Sequence, residues 1–213
     1  MVKYAAMLPT ESQLSQVPAE RGSRAWSWEN FSSLDGNFGQ HVTENPLIVV
    51  HPGYCVSYNA AEIENTVANP RGIPYWVDRV DRTILSQKKT YKDYMSNLRQ
   101  KIQTTLQEDR TLIILAERDY LDETLKIIGF SEELPKGIVV VPTKTGGPAV
   151  DPEILDNQAG QNFYNNLANS ITRAEICGES GLACVVVAEK WLKNLGVEVS
   201  RIRSCTEPDY QSE

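Results

Sequence analysis

Residues 111–129 read TLIILAERDYLDETLKIIG, and this stretch decides the class of fold. Thr111 to Ala116 is an almost wholly apolar run without polar alternation, the pattern of a strand covered on both faces. Asp119, an N-cap type, leads into a helix over Tyr120 to Ile128, and Gly129 supplies the stop. A buried strand that runs straight into a helix is the unit from which parallel α/β sheets are built.

The same unit recurs on either side. Upstream, Leu47-Ile48-Val49-Val50 is a first strand, bounded by Pro46 and by His51-Pro52-Gly53. Between the two strands, Tyr91 to Glu108 carries apolar positions at Tyr91, Met95, Leu98, Ile102 and Leu106, which predicts an amphipathic helix. Downstream, Gly137 to Pro142 is a third strand, followed by a glycine-containing loop and a helix from about Gln158 to Ser170. Ala174 to Cys177 is a fourth strand, Leu182 to Leu195 a helix closed by Gly196, and Val197 to Ile202 a fifth strand. The alternation predicts a three-layer, Rossmann-like α/β fold: one mostly parallel sheet with helices on both faces. It occupies residues 47–205 as a single domain, between an irregular arm at 1–46 and a tail at 206–213. Trp26 and Trp28 in the arm read as aromatic anchors packed against that domain.

Composition narrows the partners. A chain of 213 residues, 41% hydrophobic and 23% charged, is long enough to bury a core without staples. Its apolar runs fall far short of a membrane span, and the N-terminus has no apolar stretch of the length a secretory signal needs. Cys55, Cys177, Cys184 and Cys205 lie in or beside predicted core elements, so reduced thiols and a cytoplasmic location are expected, with Cys55, Cys177 and Cys205 unreactive. A net charge of −7, with no stretch that clusters Lys and Arg without interleaved acids, argues against nucleic acid as a partner. A small-molecule ligand is expected instead, no cofactor or metal motif is read, and exposed aromatics in the arm are compatible with a homo-oligomer.

Ligands of such sheets bind beyond the carboxyl ends of the strands. Four loops meet there: His51 to Tyr54, Glu117 to Asp119, Lys144 to Gly147, and Gly178 to Gly181. Together they hold a histidine, a lysine and carboxylates, the ingredients of nucleophilic catalysis, although any α/β rim is polar. Cys184 falls in the first turn of the last helix, at a start expected to be partly exposed, where unpaired N–H groups and the helix dipole favour a thiolate. The plainer reading makes it a small hydrophobe packed beside Val185 and Val187. Lys144 is equally a solvated loop charge, and His51 a strand-end histidine with one hydrogen bond. Gly178-Glu179-Ser180-Gly181 has the form of an anion nest, but Glu179 argues against a phosphate.

The segment AEICGESGLACV, residues 174–185, resembles the nucleophile segment of the isochorismatase-like cysteine hydrolases. There, a strand ends in Gly and a Cys-Val pair follows six residues later at a helix start, as Gly178 and Cys184-Val185 do here. The similarity runs on through Ala188, Leu192, Gly196 and Val197-Glu198-Val199. It implies an isochorismatase-like fold, Cys184 as nucleophile, Lys144 as charge stabiliser, and backbone N–H groups near Ala183 and Cys184 as an oxyanion hole, while the sheet-edge rule puts Glu117, Gly178 and Ser180 on the binding rim. After the first strand the family has an Asp that takes the thiol proton; this chain has His51. That role then passes to His51, the better-placed substitute, or to Glu117 or Asp119.

Two functions follow. One is hydrolysis of an amide or related bond of a small molecule by a cysteine nucleophile. The other is a diverged, non-catalytic α/β domain that binds a small ligand or a partner protein, which the missing Asp favours. The pocket lining would come from residues 54–90, where Tyr75, Trp76, Asp78 and Arg79 are candidates without a motif.

Overall fold

In a computed structural model, the chain is described at residues 24–25, 42–53, 89–117, 121–130, 134, 137–143, 157–179, 181 and 183–207. In order these form β1 (Arg24–Ala25), β2 (Leu47–Val50), α1 (Lys89–Gln107), β3 (Leu112–Glu117), α2 (Leu121–Ile127), β4 (Ile138–Thr143), α3 (Asn157–Ser170), β5 (Arg173–Gly178), α4 (Cys184–Asn194) and β6 (Glu198–Thr206).

The strands make one six-stranded sheet of order β1-β4-β3-β2-β5-β6, and every pairing is parallel. All five strands expected from the sequence are in it. The sixth, β1, lies within the stretch read as an irregular arm. Its two residues pair with Val139 and Val140 at the sheet edge, too short a segment to carry a periodic signal.

Strand parity sorts the core into two halves. Ile48, Val50, Ile113, Leu115, Val139 and Val141 face α3 and α4, where they meet Phe163, Tyr164, Leu167, Val185, Ala188 and Leu192. The alternate residues Leu47, Val49, Leu112, Ile114, Ile138 and Val140 face α1 and α2, against Tyr94, Met95, Leu98, Ile102 and Leu125. Since both faces are covered, the central strands need apolar residues at every position, and for this reason Leu47–Val50 and Leu112–Ala116 read as unbroken hydrophobic runs. At the amino end, Glu175 of β5 accepts from Arg110 Nη2 at 2.5 Å and Lys101 Nζ at 2.8 Å, while Arg110 Nε donates to Asn45 O at 2.8 Å. These contacts tie the starts of β2, β3 and β5 to the end of α1.

The chain moves from β2 through β3 to β4 with α1 and α2 on one face. It then crosses by α3 to β5, on the other side of β2, with α4 on the opposite face. The strand order therefore reverses between β2 and β5. The carboxyl ends of these two strands are thus the topological switch point of the sheet, the place where such sheets bind ligands.

Candidate functional site at the carboxyl edge

Gly178 ends β5 in the left-handed region, with φ of +127°, pressed against β2. A Cβ there would collide with Val50 O and come within 2.6 Å of Val50 N, so only glycine fits. Its carbonyl accepts from Glu207 N at 2.9 Å, and the next residue, Glu179, donates its N–H to Val50 O at 2.8 Å. Expected on the binding rim, Gly178 serves the backbone itself, since its lack of a side chain lets β5 close on β2 at the switch point.

β2 ends in a compensating turn. His51 has φ of +44°, uncommon for a residue with a side chain, and its N–H donates to Leu115 O at 2.7 Å. The turn aims the imidazole across β3, where Nε2 lies 2.9 Å from Thr143 Oγ1 at the end of β4. The ring is 2% exposed, and burial lowers its pKa from 6.5 to about 4, so His51 is neutral at pH 7.

Glu117 and Thr143 are paired in register at the ends of β3 and β4, and both are buried. They continue the parity of Leu115 and Val141, placing them on the α3–α4 side of the sheet. Cys184 is on that side too, in the same cluster as Val50, Leu115 and Val141. As the first residue of α4 it shares one stripe with Val185 and Ala188, and this stripe packs on the sheet. Cys184 is consequently 3% exposed, not partly exposed as expected. Ala183, the N-cap, is exposed and makes no side-chain cap, and Val187 N donates to its carbonyl at 2.9 Å. The first-turn N–H groups of α4 are in any case outside the helix's own hydrogen bonding. Lys144, Ser180 and Asp119, like Tyr75, Trp76, Asp78 and Arg79, lie outside the described residues.

Glu179, whose charge in the sequence only argues against a phosphate, organises the opposite side. It is completely buried, and its Oε1 accepts from Gly53 N at 2.7 Å and from the Tyr91 hydroxyl at 2.8 Å. It thereby joins the turn after β2, the turn after β5 and the first part of α1. Burial, and then the Glu179 charge, push the Tyr94 phenol well above its ordinary pKa. No local pattern signals this carboxylate, since its partners are 126 and 88 positions away in sequence. The one available clue is its place directly after a strand-ending glycine.

No family model matches the chain, and no curated protein matches it in sequence. Among solved structures, the chain is similar to a nicotinamidase from Staphylococcus aureus, with a TM-score of 0.44 and 14% sequence identity over 80% of this chain and 89% of that one. No helix among the described residues is long and apolar enough to cross a membrane.

Proposed function

We propose that the chain is a hydrolase acting on an amide or a related bond of a small molecule, with Cys184 as nucleophile. One observation carries the reading: His51, Glu117 and Thr143, from the ends of three strands, share the side of the sheet against which the first turn of α4 packs Cys184. The neutral imidazole of His51, held through Nε2 by Thr143, takes the thiol proton. An imidazole of such low basicity does not sustain a resting thiolate–imidazolium pair. The proton passes as the C–S bond forms, in the manner of general-base catalysis. The carbonyl oxygen takes up the negative charge against the N–H groups of the first turn of α4, with Lys144 adding positive charge. Collapse of the adduct breaks the C–N bond, the imidazolium returns its proton to the departing amine, and water then cleaves the thioester to acid and free thiol.

Purified protein incubated with a panel of small primary amides should release ammonia, and Cys184→Ser and His51→Gln should each lower the rate by roughly 10²–10⁴-fold while the fold is kept. No release above the rate of the Cys184→Ser variant, for any amide, sinks the reading.

The burial of Cys184 at 3% exposure, among aliphatic side chains, favours the second reading, a non-catalytic domain that holds a small ligand at the same edge. Ligand-induced rise in melting temperature without turnover, unaffected by Cys184→Ser, would establish it.

A further inference from the structure

The outer face of α1 carries Lys92, Ser96, Arg99 and Gln103 at spacings of three and four, and so forms one stripe. Where this stripe meets the end of α2 there is an open groove of about 730 Å³. Its floor is apolar: Met95 at 5% exposure, the Tyr91 ring at 4%, and Ile127. Its walls are Lys92, Arg99, Gln100 and Gln103, and among the described residues no acidic side chain lines it. Arg99 directs Nε and Nη2 to Ile127 O at 3.0 and 2.7 Å, a neutral acceptor. Among the described residues neither cation is in an ion pair, in a chain whose net charge is −7.

We propose that the groove between α1 and the end of α2 binds an extended acidic segment of a partner protein. Lys92 and Arg99 are seven residues apart, about 10 Å along the helix, too far for one carboxylate to touch both. In an extended segment, alternate residues point the same way, and positions i and i+4 are about 13 Å apart, within reach of the two long cationic arms. The residue between them, at i+2, then points to the apolar floor at Met95 and Ile127. The amides of Gln100 and Gln103 match the donors and acceptors of a peptide backbone. Two exposed ion pairs and one buried side chain make a weak complex, sensitive to salt.

The test is fluorescence anisotropy of the full chain with a fluorescein-labelled peptide Ser-Glu-Ser-Leu-Ser-Glu-Ser. Saturable binding is expected at about 50 mM salt, weakening roughly tenfold near 0.5 M. Replacing both Glu by Gln, or Leu by Ser, in the peptide should each weaken binding roughly tenfold. Lys92→Glu should do the same, and because Lys92 is an exposed residue of the outer helix face, that variant separates recognition from folding. Cys184→Ala should bind like the unmodified chain, so this inference and the hydrolase reading fail independently. Equal affinity for the Gln peptide, unchanged affinity in Lys92→Glu, or no saturation up to about 1 mM would overturn the proposal.

Discussion

The imidazole of His51 and the hydroxyl of Thr143 meet at 2.9 Å over the end of β3, joining two strands that are not neighbours in the sheet. Both groups are buried, and the contact gives each a hydrogen-bond partner away from water. The left-handed turn at His51 accompanies this contact: the chain leaves the extended course of β2 at the residue whose ring reaches Thr143.

Thr143→Val preserves shape and removes the hydroxyl. It should lower unfolding free energy by about 1–3 kcal/mol, because a buried ring nitrogen loses its partner, whereas Thr143→Ser should stay close to the unmodified protein. Urea unfolding of the three proteins measures this. Equal stability of the Val and Ser variants would mean that the contact contributes nothing.

A neutral buried histidine makes stability depend on pH in a defined window. The folded pKa of about 4 lies below the unfolded 6.5, so between these values the unfolded chain binds more protons and stability falls as pH falls. From pH 7.5 to pH 5 the loss attributable to His51 should be about 2 kcal/mol, and His51→Gln should flatten the curve over that range. Glu175 does not confound the comparison: although burial opposes its ionisation, hydrogen bonds from Lys101 and Arg110 hold its pKa below the ordinary value, so its contribution is lost only at more acid pH. Identical slopes for the two proteins would contradict the buried neutral state.

Gly178→Ala places a methyl group on the backbone of Val50 at a φ that side chains rarely adopt. A loss of about 4 kcal/mol or more is expected, with β2 and β5 forced apart at their carboxyl ends. Gly196→Ala is the control, since it also has positive φ but meets nothing within 4 Å. Melting temperatures should separate the pair widely; a similar drop in both would reduce the effect to backbone conformation alone.

Thiol chemistry sorts the cysteines. Burial, followed by the neighbouring Cys205 sulfur, raises the Cys177 thiol far above its usual pKa, and burial raises that of Cys205 as well. In native protein at about pH 8, iodoacetamide should leave both unmodified while denatured protein reacts fully, as mass spectrometry of tryptic peptides would report. Rapid native labelling of Cys177 would show that β5 opens far more readily than a central strand should.

How much of the molecule is legible in its sequence depends on the range of the interactions concerned. Runs such as Leu112–Ala116 and Leu47–Val50 announce strands because coverage on both faces imposes apolar character on every residue, a demand written locally. The period of Tyr91, Met95, Leu98 and Ile102 announces α1 for the same reason, with the helical repeat in place of the strand's. Gly178 is readable as a strand end, and the spacing to Cys184 as a turn into a helix. That Gly178 must be glycine is visible only against Val50, 128 positions earlier. The two-residue β1 has no signal, since pairing with β4 and not its own pattern makes it a strand. Cys184 departs from the expected exposure because a helix start is exposed by default, and only the angle at which α4 lies on the sheet turns its first residue inward. Glu179 and Thr143 carry no mark of their role in the sequence. Their importance comes from partners contributed by other strands and by α1, brought within hydrogen-bonding distance by the reversal of strand order between β2 and β5. Periodicity is a property of one segment and survives in the sequence by itself; a site at the crossing of four segments exists only once the sheet has assembled them.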